Sequence, residues 1–146
     1  MQRTVQRQLA DYSPEQLFAL VSDIESYPDF IPHCIGARIR RRSGQNLVVE
    51  NMFGAGPVRV RFITHAMFDP PTAIDVVSAD GPFESLKIAW RFTAVEGGTR
   101  AEFSIETRFR RRIVERLSHL LNEPTEQKVL DAFERRARKT YGGDDQ

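Results

Sequence analysis

The sequence holds one cysteine, Cys34, so an internal disulfide and a cysteine-rich zinc site are both excluded. No apolar run approaches the length that a bilayer span needs. The opening residues MQRTVQRQLADYSPEQ contain no apolar core of the kind a secretory signal carries. A cytoplasmic location, with or without a peripheral place on the inner membrane, is the simplest expectation. Lysine is scarce: Lys87, Lys128 and Lys139 are the only ones among 21 basic residues. A net charge of +1 lacks the basic excess of a general nucleic-acid binder, so no DNA partner is expected. There is no internal repeat, low-complexity segment or linker, and 146 residues suit one core, so one domain over 1–146 is expected.

Catalytic motifs are missing too. The chain has no G-x-S-x-G, no H-E-x-x-H, no P-loop and no Rossmann glycine pattern. His33 and Cys34 are neighbours, and on an extended chain their side chains diverge, which makes a poor nucleophile–base pair. His65 falls on a strand and His119 on a helix, neither with a carboxylate at ligand spacing, so no metal site is expected. Glu102 and Glu106 share an outward register with Ser104 between them. They read as surface ladder residues paired across strands, not as an acid/base dyad.

What is present is clear patterning. Thr4–Ala10, with Val5 and Leu9 on one face, predicts a first strand. In YSPEQLFALVSDI, Ser13 is a good N-cap, Pro14 fits the first helical position and Gln16 completes a capping box. Leu17, Phe18, Leu20, Val21 and Ile24 follow as one apolar stripe. From Ile35 the period changes to 2: Ile35, Ala37 and Ile39 alternate with Gly36, Arg38 and Arg40. SGQN, GAGP, DPPT, ADGP and EGGT then punctuate an antiparallel meander. From Arg112 the period returns to 3.6 through Ile113, Val114, Leu117, Leu120, Leu121, Val129, Leu130, Phe133 and Ala137, with Pro124 predicting a kink.

The expected fold class is therefore α+β: a curved antiparallel sheet of six or seven strands wrapped around a long C-terminal helix. A strongly twisted sheet gripping one helix tends to leave a cavity between them. The helix-to-strand connection SDIESYPDFIPHCIGARI is apolar where a short soluble chain usually places small polar residues. Its Tyr27–Cys34 portion reads either as a gate over that cavity or as a core plug.

Three of these stretches carry a resemblance. YSPEQLFALVSDIESYPDFIPHC, DGPFESLKIAWRF and AFERRA resemble, in order and spacing, the coenzyme Q-binding START-domain family of the polyketide cyclase/dehydrase superfamily, which includes bacterial ribosome association toxins. The likeness runs from about Tyr12 to Tyr141. The chain departs from it at His33, where the family often has tryptophan, and at Pro124, inside a helix that usually runs unbroken. The resemblance implies a helix-grip fold with a lipophilic pocket. It also implies either ubiquinone binding in support of respiration or association with the large ribosomal subunit.

The expected function is accordingly non-enzymatic binding of an isoprenoid quinone such as ubiquinone, with no other cofactor. The alternatives are a ribosome-directed inhibitor and, third, an aromatase/cyclase-like enzyme, for which no acid/base constellation is visible. Candidate ligand-lining residues are Phe62, Phe83, Trp90, Phe92 and Phe103 from strands and Leu121, Leu130 and Phe133 from the helix. Most of these would be core in any fold of this shape. Trp90 stands out because its ring N–H needs a partner. Phe30, Ile31 and Pro32 are the candidate rim. Arg38, Arg40, Arg42, Arg110 and Arg112 are either solvated edge residues or a partner surface for phosphate, in lipid headgroups at the membrane or in RNA.

Overall fold

A computed structural model describes residues 2–111 and 125–142. Seven strands form one antiparallel sheet: β1 (Gln2–Ala10), β2 (Cys34–Ser43), β3 (Asn46–Ala55), β4 (Val58–Asp69), β5 (Ala73–Ser78), β6 (Phe83–Val95) and β7 (Gly98–Phe109). Their spatial order is β1-β7-β6-β5-β4-β3-β2. The chain crosses from one sheet edge to the other through helix α1 (Pro14–Ser22) and a 3-10 helix (Ile24–Asp29), and it ends in helix α2 (Thr125–Tyr141). The expected kink at Pro124 and the helical stretch from Arg112 through Leu121, with His119, lie outside the described residues.

Local chemistry explains the elements. The Ser13 hydroxyl accepts from the Gln16 N–H at 3.1 Å while the Gln16 side chain accepts from the Ser13 N–H at 2.9 Å, a complete capping box. Leu17, Phe18, Leu20 and Val21 are buried along one face of α1. Along β4 the alternation holds throughout: Phe62, Thr64 and Ala66 are buried while Arg59, Arg61 and His65 are exposed. Gly81 takes φ +61° in the β5–β6 turn, where a Cβ would meet the Arg61 carbonyl oxygen at 2.5 Å. Only glycine lets that turn lie against β4.

Strand β2 departs from simple alternation at two bulges. The first falls between Cys34 and Gly36, the second between Ile39 and Arg41. Each inserts a residue opposite one partner and shifts the phase. Ile35 is the extra residue of the first. It is 46% exposed and stands outside the sheet beside Gly54, not inward as alternation predicts. Past the second bulge, Arg41 pairs with Val48 and Arg42 with the buried Leu47. Arg41 thus takes the outward register that strict alternation assigns to Arg42.

The main core lies between β1, β6, β7 and the helices. It contains Leu9, Leu17, Val21, Ile31, Trp90, Phe92, Phe103, Leu130 and Phe133. A second cluster joins Ile24 to Leu47, Val49 and Ala66, and a third joins Phe62, Phe83 and Leu86.

Candidate functional site

The apolar connection after α1 folds into a compact knot. The Ile31 N–H donates to the Tyr27 carbonyl at 2.8 Å, and the Tyr27 hydroxyl donates to the Val21 carbonyl. His33 turns the chain into β2 through a left-handed backbone at φ +68°, and its carbonyl accepts from the Gly54 N–H at 2.9 Å. At the edge of the knot, Glu25 accepts from the Ile39 N–H at 2.9 Å. Burial drives the Tyr27 hydroxyl well above its ordinary range, with Cys34 and Asp23 nearby adding to the rise. Burial likewise pushes the Cys34 thiol up to about 11, against a smaller lowering by its bond to the Gly36 carbonyl. The thiol is neutral at physiological pH and poorly suited as a nucleophile.

Aromatic rings tie the knot to the sheet through α2. Phe133 lies 5.1 Å from Phe30, 5.6 Å from Tyr27 and 5.1 Å from Trp90, each in edge-to-face geometry. Trp90 in turn lies 4.7 Å from Phe103 and stacks on Phe92 at 5.8 Å. The Arg136 guanidinium sits 4.9 Å over the Phe30 ring, with Asp29 at 3.9 Å.

Between α1, α2 and strands β1, β6 and β7 lies a cavity of about 10 Å³, room for a single water. Leu17, Val21, Trp90, Phe92, Leu130 and Phe133 are among its walls, and its lining is apolar. The structure thus brings together four of the sequence-predicted lining residues: Trp90, Phe92, Leu130 and Phe133. Phe103 sits directly behind Trp90, and Ile31 is buried in the same core. Phe30 is half-buried against Phe133, and Pro32 is half-buried beside it in the knot. Phe62 and Phe83 belong to a separate cluster, 4.8 Å apart. Leu121 lies outside the described residues.

The arginines divide as well. Arg40 pairs with Glu50, which also meets Arg61 at 3.4 Å. Arg110 donates to the Gly81 and Ala79 carbonyls at 2.9 Å each, clamping the β5–β6 turn. Arg38, Arg41, Arg42 and Arg59 are exposed and have no ion pair among the described residues. Arg112 lies outside them.

Sequence reasoning missed two features. Arg7 shares a face with Val5 and Leu9, yet it reaches α2: its guanidinium meets Asp131 at 2.6 Å, Glu134 at 3.1 Å and Gln127 at 2.9 Å. Arg3 pairs with Glu126 at 3.4 Å. The signal was their parity with Val5 and Leu9, opposite the acidic face of α2. The other is a buried polar pair, Asn51 and Thr64, on the inward face of β3 and β4. Alternation with Leu47 and Val49 already put Asn51 on that face. Among the described residues, no cluster of histidine, cysteine or carboxylate side chains is suited to hold a metal. Nor is any helix long and apolar enough to cross a membrane.

Comparison with known proteins gives a consistent set. The model of the family described as polyketide cyclase / dehydrase and lipid transport matches residues 10–134. The ribosome association toxin RatA of Vibrio cholerae is 31% identical over 144 residues, 97% of this chain and 99% of that protein. The mitochondrial coenzyme Q-binding protein COQ10 homolog B of Xenopus laevis is 24% identical over 136 residues, 90% of this chain and 56% of that protein. The crystal structure of a Streptomyces aromatase/cyclase shares the fold, with a TM-score of 0.80 at 14% identity over 99% of this chain and 100% of that one.

Proposed function

Since this chain belongs to the polyketide cyclase / dehydrase and lipid transport family, we propose that it is a non-enzymatic carrier of an isoprenoid quinone, which it shields between sheet and α2 on behalf of membrane electron transport. The observation that carries this reading is the apolar contact between Trp90, Phe92, Leu130 and Phe133, with no titratable group among the described residues of the cavity lining. Such an interior offers nothing to acid/base chemistry and much to a hydrocarbon tail, at about 25 cal/mol for each Å² withdrawn from water. The likeness to a coenzyme Q-binding protein supports the same ligand class.

A cavity of about 10 Å³ is far below the several hundred Å³ of a small-molecule site, so uptake requires α2 and the knot to move off the sheet. The contacts to break are the rings of Tyr27 and Phe30 on Phe133, together with the cation–π contact of Arg136. The knot is the gate in this reading. The test is mass spectrometry of lipid extracted from protein purified from its own host. A prenyl quinone at near-stoichiometric amount is expected. Protein that carries none, and does not bind added ubiquinone, overturns the reading.

A second reading has its own observation. Arg38, Arg41, Arg42 and Arg59 are exposed cations on β2 and β4 without carboxylate partners among the described residues, and the Vibrio cholerae relative is named a ribosome association toxin. Arginine without an intramolecular partner is suited to phosphate. This reading expects co-sedimentation with the large ribosomal subunit that weakens steeply with salt. Co-sedimentation that is absent, or indifferent to salt, removes it.

A further inference from the structure

Asn51 and Thr64 are a polar island on an apolar face. Asn51 is 9% exposed and Thr64 6%, and they lie between the cluster of Leu47, Val49 and Ala66 and that of Phe62, Phe83 and Leu86. The Asn51 amide nitrogen donates to the Thr64 hydroxyl oxygen at 3.0 Å and to the backbone carbonyls of Phe62 and Val49 at 3.2 and 3.4 Å. Two carbonyl acceptors on that side settle which amide atom is nitrogen. The carbonyl Oδ1 is therefore turned away from them. Among the described residues nothing donates to Oδ1, and nothing accepts the Thr64 hydroxyl hydrogen. A buried acceptor and a buried donor thus stand side by side without partners among the described residues, where native interiors satisfy nearly all such groups.

That pair has a chemical complement. A hydroxyl on a ligand ring can donate to Oδ1 and accept from Thr64 at the same time. A quinone carbonyl can only accept. It takes the Thr64 hydrogen and sets a lone pair against Oδ1, which stays unsatisfied. We propose that Asn51 and Thr64 form the polar end of the ligand site and read a ring hydroxyl, so that a hydroquinone or phenol is preferred over the corresponding quinone. This rests on the lipophilic-carrier reading and adds to it the redox form of the cargo. The flanking Phe62 and Val49 side chains give the ring an apolar seat, and the Phe53 ring stacks behind Phe62 at 5.9 Å.

The experiment is anaerobic titration calorimetry of the full chain with a short-chain ubiquinone and with its hydroquinone. One unsatisfied buried acceptor corresponds to about a tenfold difference in Kd. Wild-type protein is expected to bind the hydroquinone about tenfold more tightly. Asn51→Leu is expected to abolish that preference while quinone affinity is kept or rises, whereas Thr64→Val removes the donor to the quinone oxygen and is expected to weaken quinone binding while the preference remains. Equal affinity for the two forms, tighter quinone binding, or a preference that survives Asn51→Leu overturns the proposal and leaves the carrier reading standing. If neither form binds, the carrier reading falls and this one with it. Should Asn51→Leu fail to fold, the wild-type comparison and the weaker quinone binding expected of the near-isosteric Thr64→Val still decide.

Discussion

The two halves of the sheet are built to different ends. Strands β1, β7 and β6 lie under α1 and α2, and several strong groups there are matched within the chain. Arg7 meets two carboxylates of α2, Trp90 is surrounded by rings, and α1 carries a complete capping box. Strands β2, β3 and β4 are less self-contained. They carry two bulges, a polar pair facing inward and four arginines facing solvent without ion pairs among the described residues. The difference teaches that stability and recognition are separated across one sheet. The matched half holds the fold together, and the unmatched half presents groups that still have bonds to make.

The sharpest way to break this comparison is to remove its central ring. Phe133→Ala deletes the packing of this ring on Tyr27, Phe30 and Trp90 at once. A loss of about 3–5 kcal/mol is expected from urea denaturation. Phe53, half-buried on Phe62 in the other half, should cost less than half as much when changed to alanine. An equal loss at Phe53 would erase the asymmetry.

Alkali probes the same contrast, because the two acids driven up most by burial, Cys34 and Tyr27, both lie in the knot. A raised folded value means that the native state keeps its proton where the unfolded chain releases it. Stability is therefore full below the unfolded value and falls as pH rises above it. For Cys34 the loss runs from pH 9 to about 11, and Tyr27 adds a further loss above pH 10. The denaturation midpoint of Cys34→Ala is expected to stay level until about pH 10, where that of the wild type already declines from about 9. Identical profiles would mean that the thiol gains no protection from the knot.

Much of the matched half was legible in the sequence, and the reasons are local. Ser13, Pro14 and Gln16 specify their helix start within four residues, and the alternation around Trp90 needs only the strand's own period. Resemblance supplied the helix-grip arrangement. The other half was harder because its features arise between strands. A bulge is a mismatch of two ladders, so neither the outward turn of Ile35 nor the exchange of Arg41 for Arg42 shows in β2 alone. The ion pairs of Arg3 and Arg7 span more than a hundred residues of sequence. Cavity size is invisible as well: pattern predicts an apolar interior between sheet and helix, but only packed side chains set it at about 10 Å³.

A smaller effect is expected at the junction of β1 with α2. Arg7→Ala removes the bonds to Asp131, Glu134 and Gln127 from a side chain that is 23% exposed. Partial exposure limits the loss to about 1 kcal/mol, and the difference from wild type should shrink in high salt. A loss that salt does not change would assign the role of Arg7 to its buried aliphatic stem instead of its charge.

The smallest expected change in stability tests the unmatched half most directly. Arg38, Arg41, Arg42 and Arg59 have no ion pair to break among the described residues, so changing all four to glutamine should move the unfolding free energy by only about 0.5 kcal/mol. If these arginines meet phosphate, the same variant should bind the large subunit more weakly. The slope of log affinity against log salt should also fall by about 0.7–0.9 for each phosphate that is no longer neutralised. Arg40→Gln and Arg110→Gln are the internal controls. Arg40 pairs with Glu50, and Arg110 holds the carbonyls of Gly81 and Ala79. Their substitution should disturb the fold more and the salt slope less. If the four-fold variant sediments with the large subunit as the wild type does, the exposed arginines are ordinary solvated residues, and recognition in this half belongs to Asn51 and Thr64 alone.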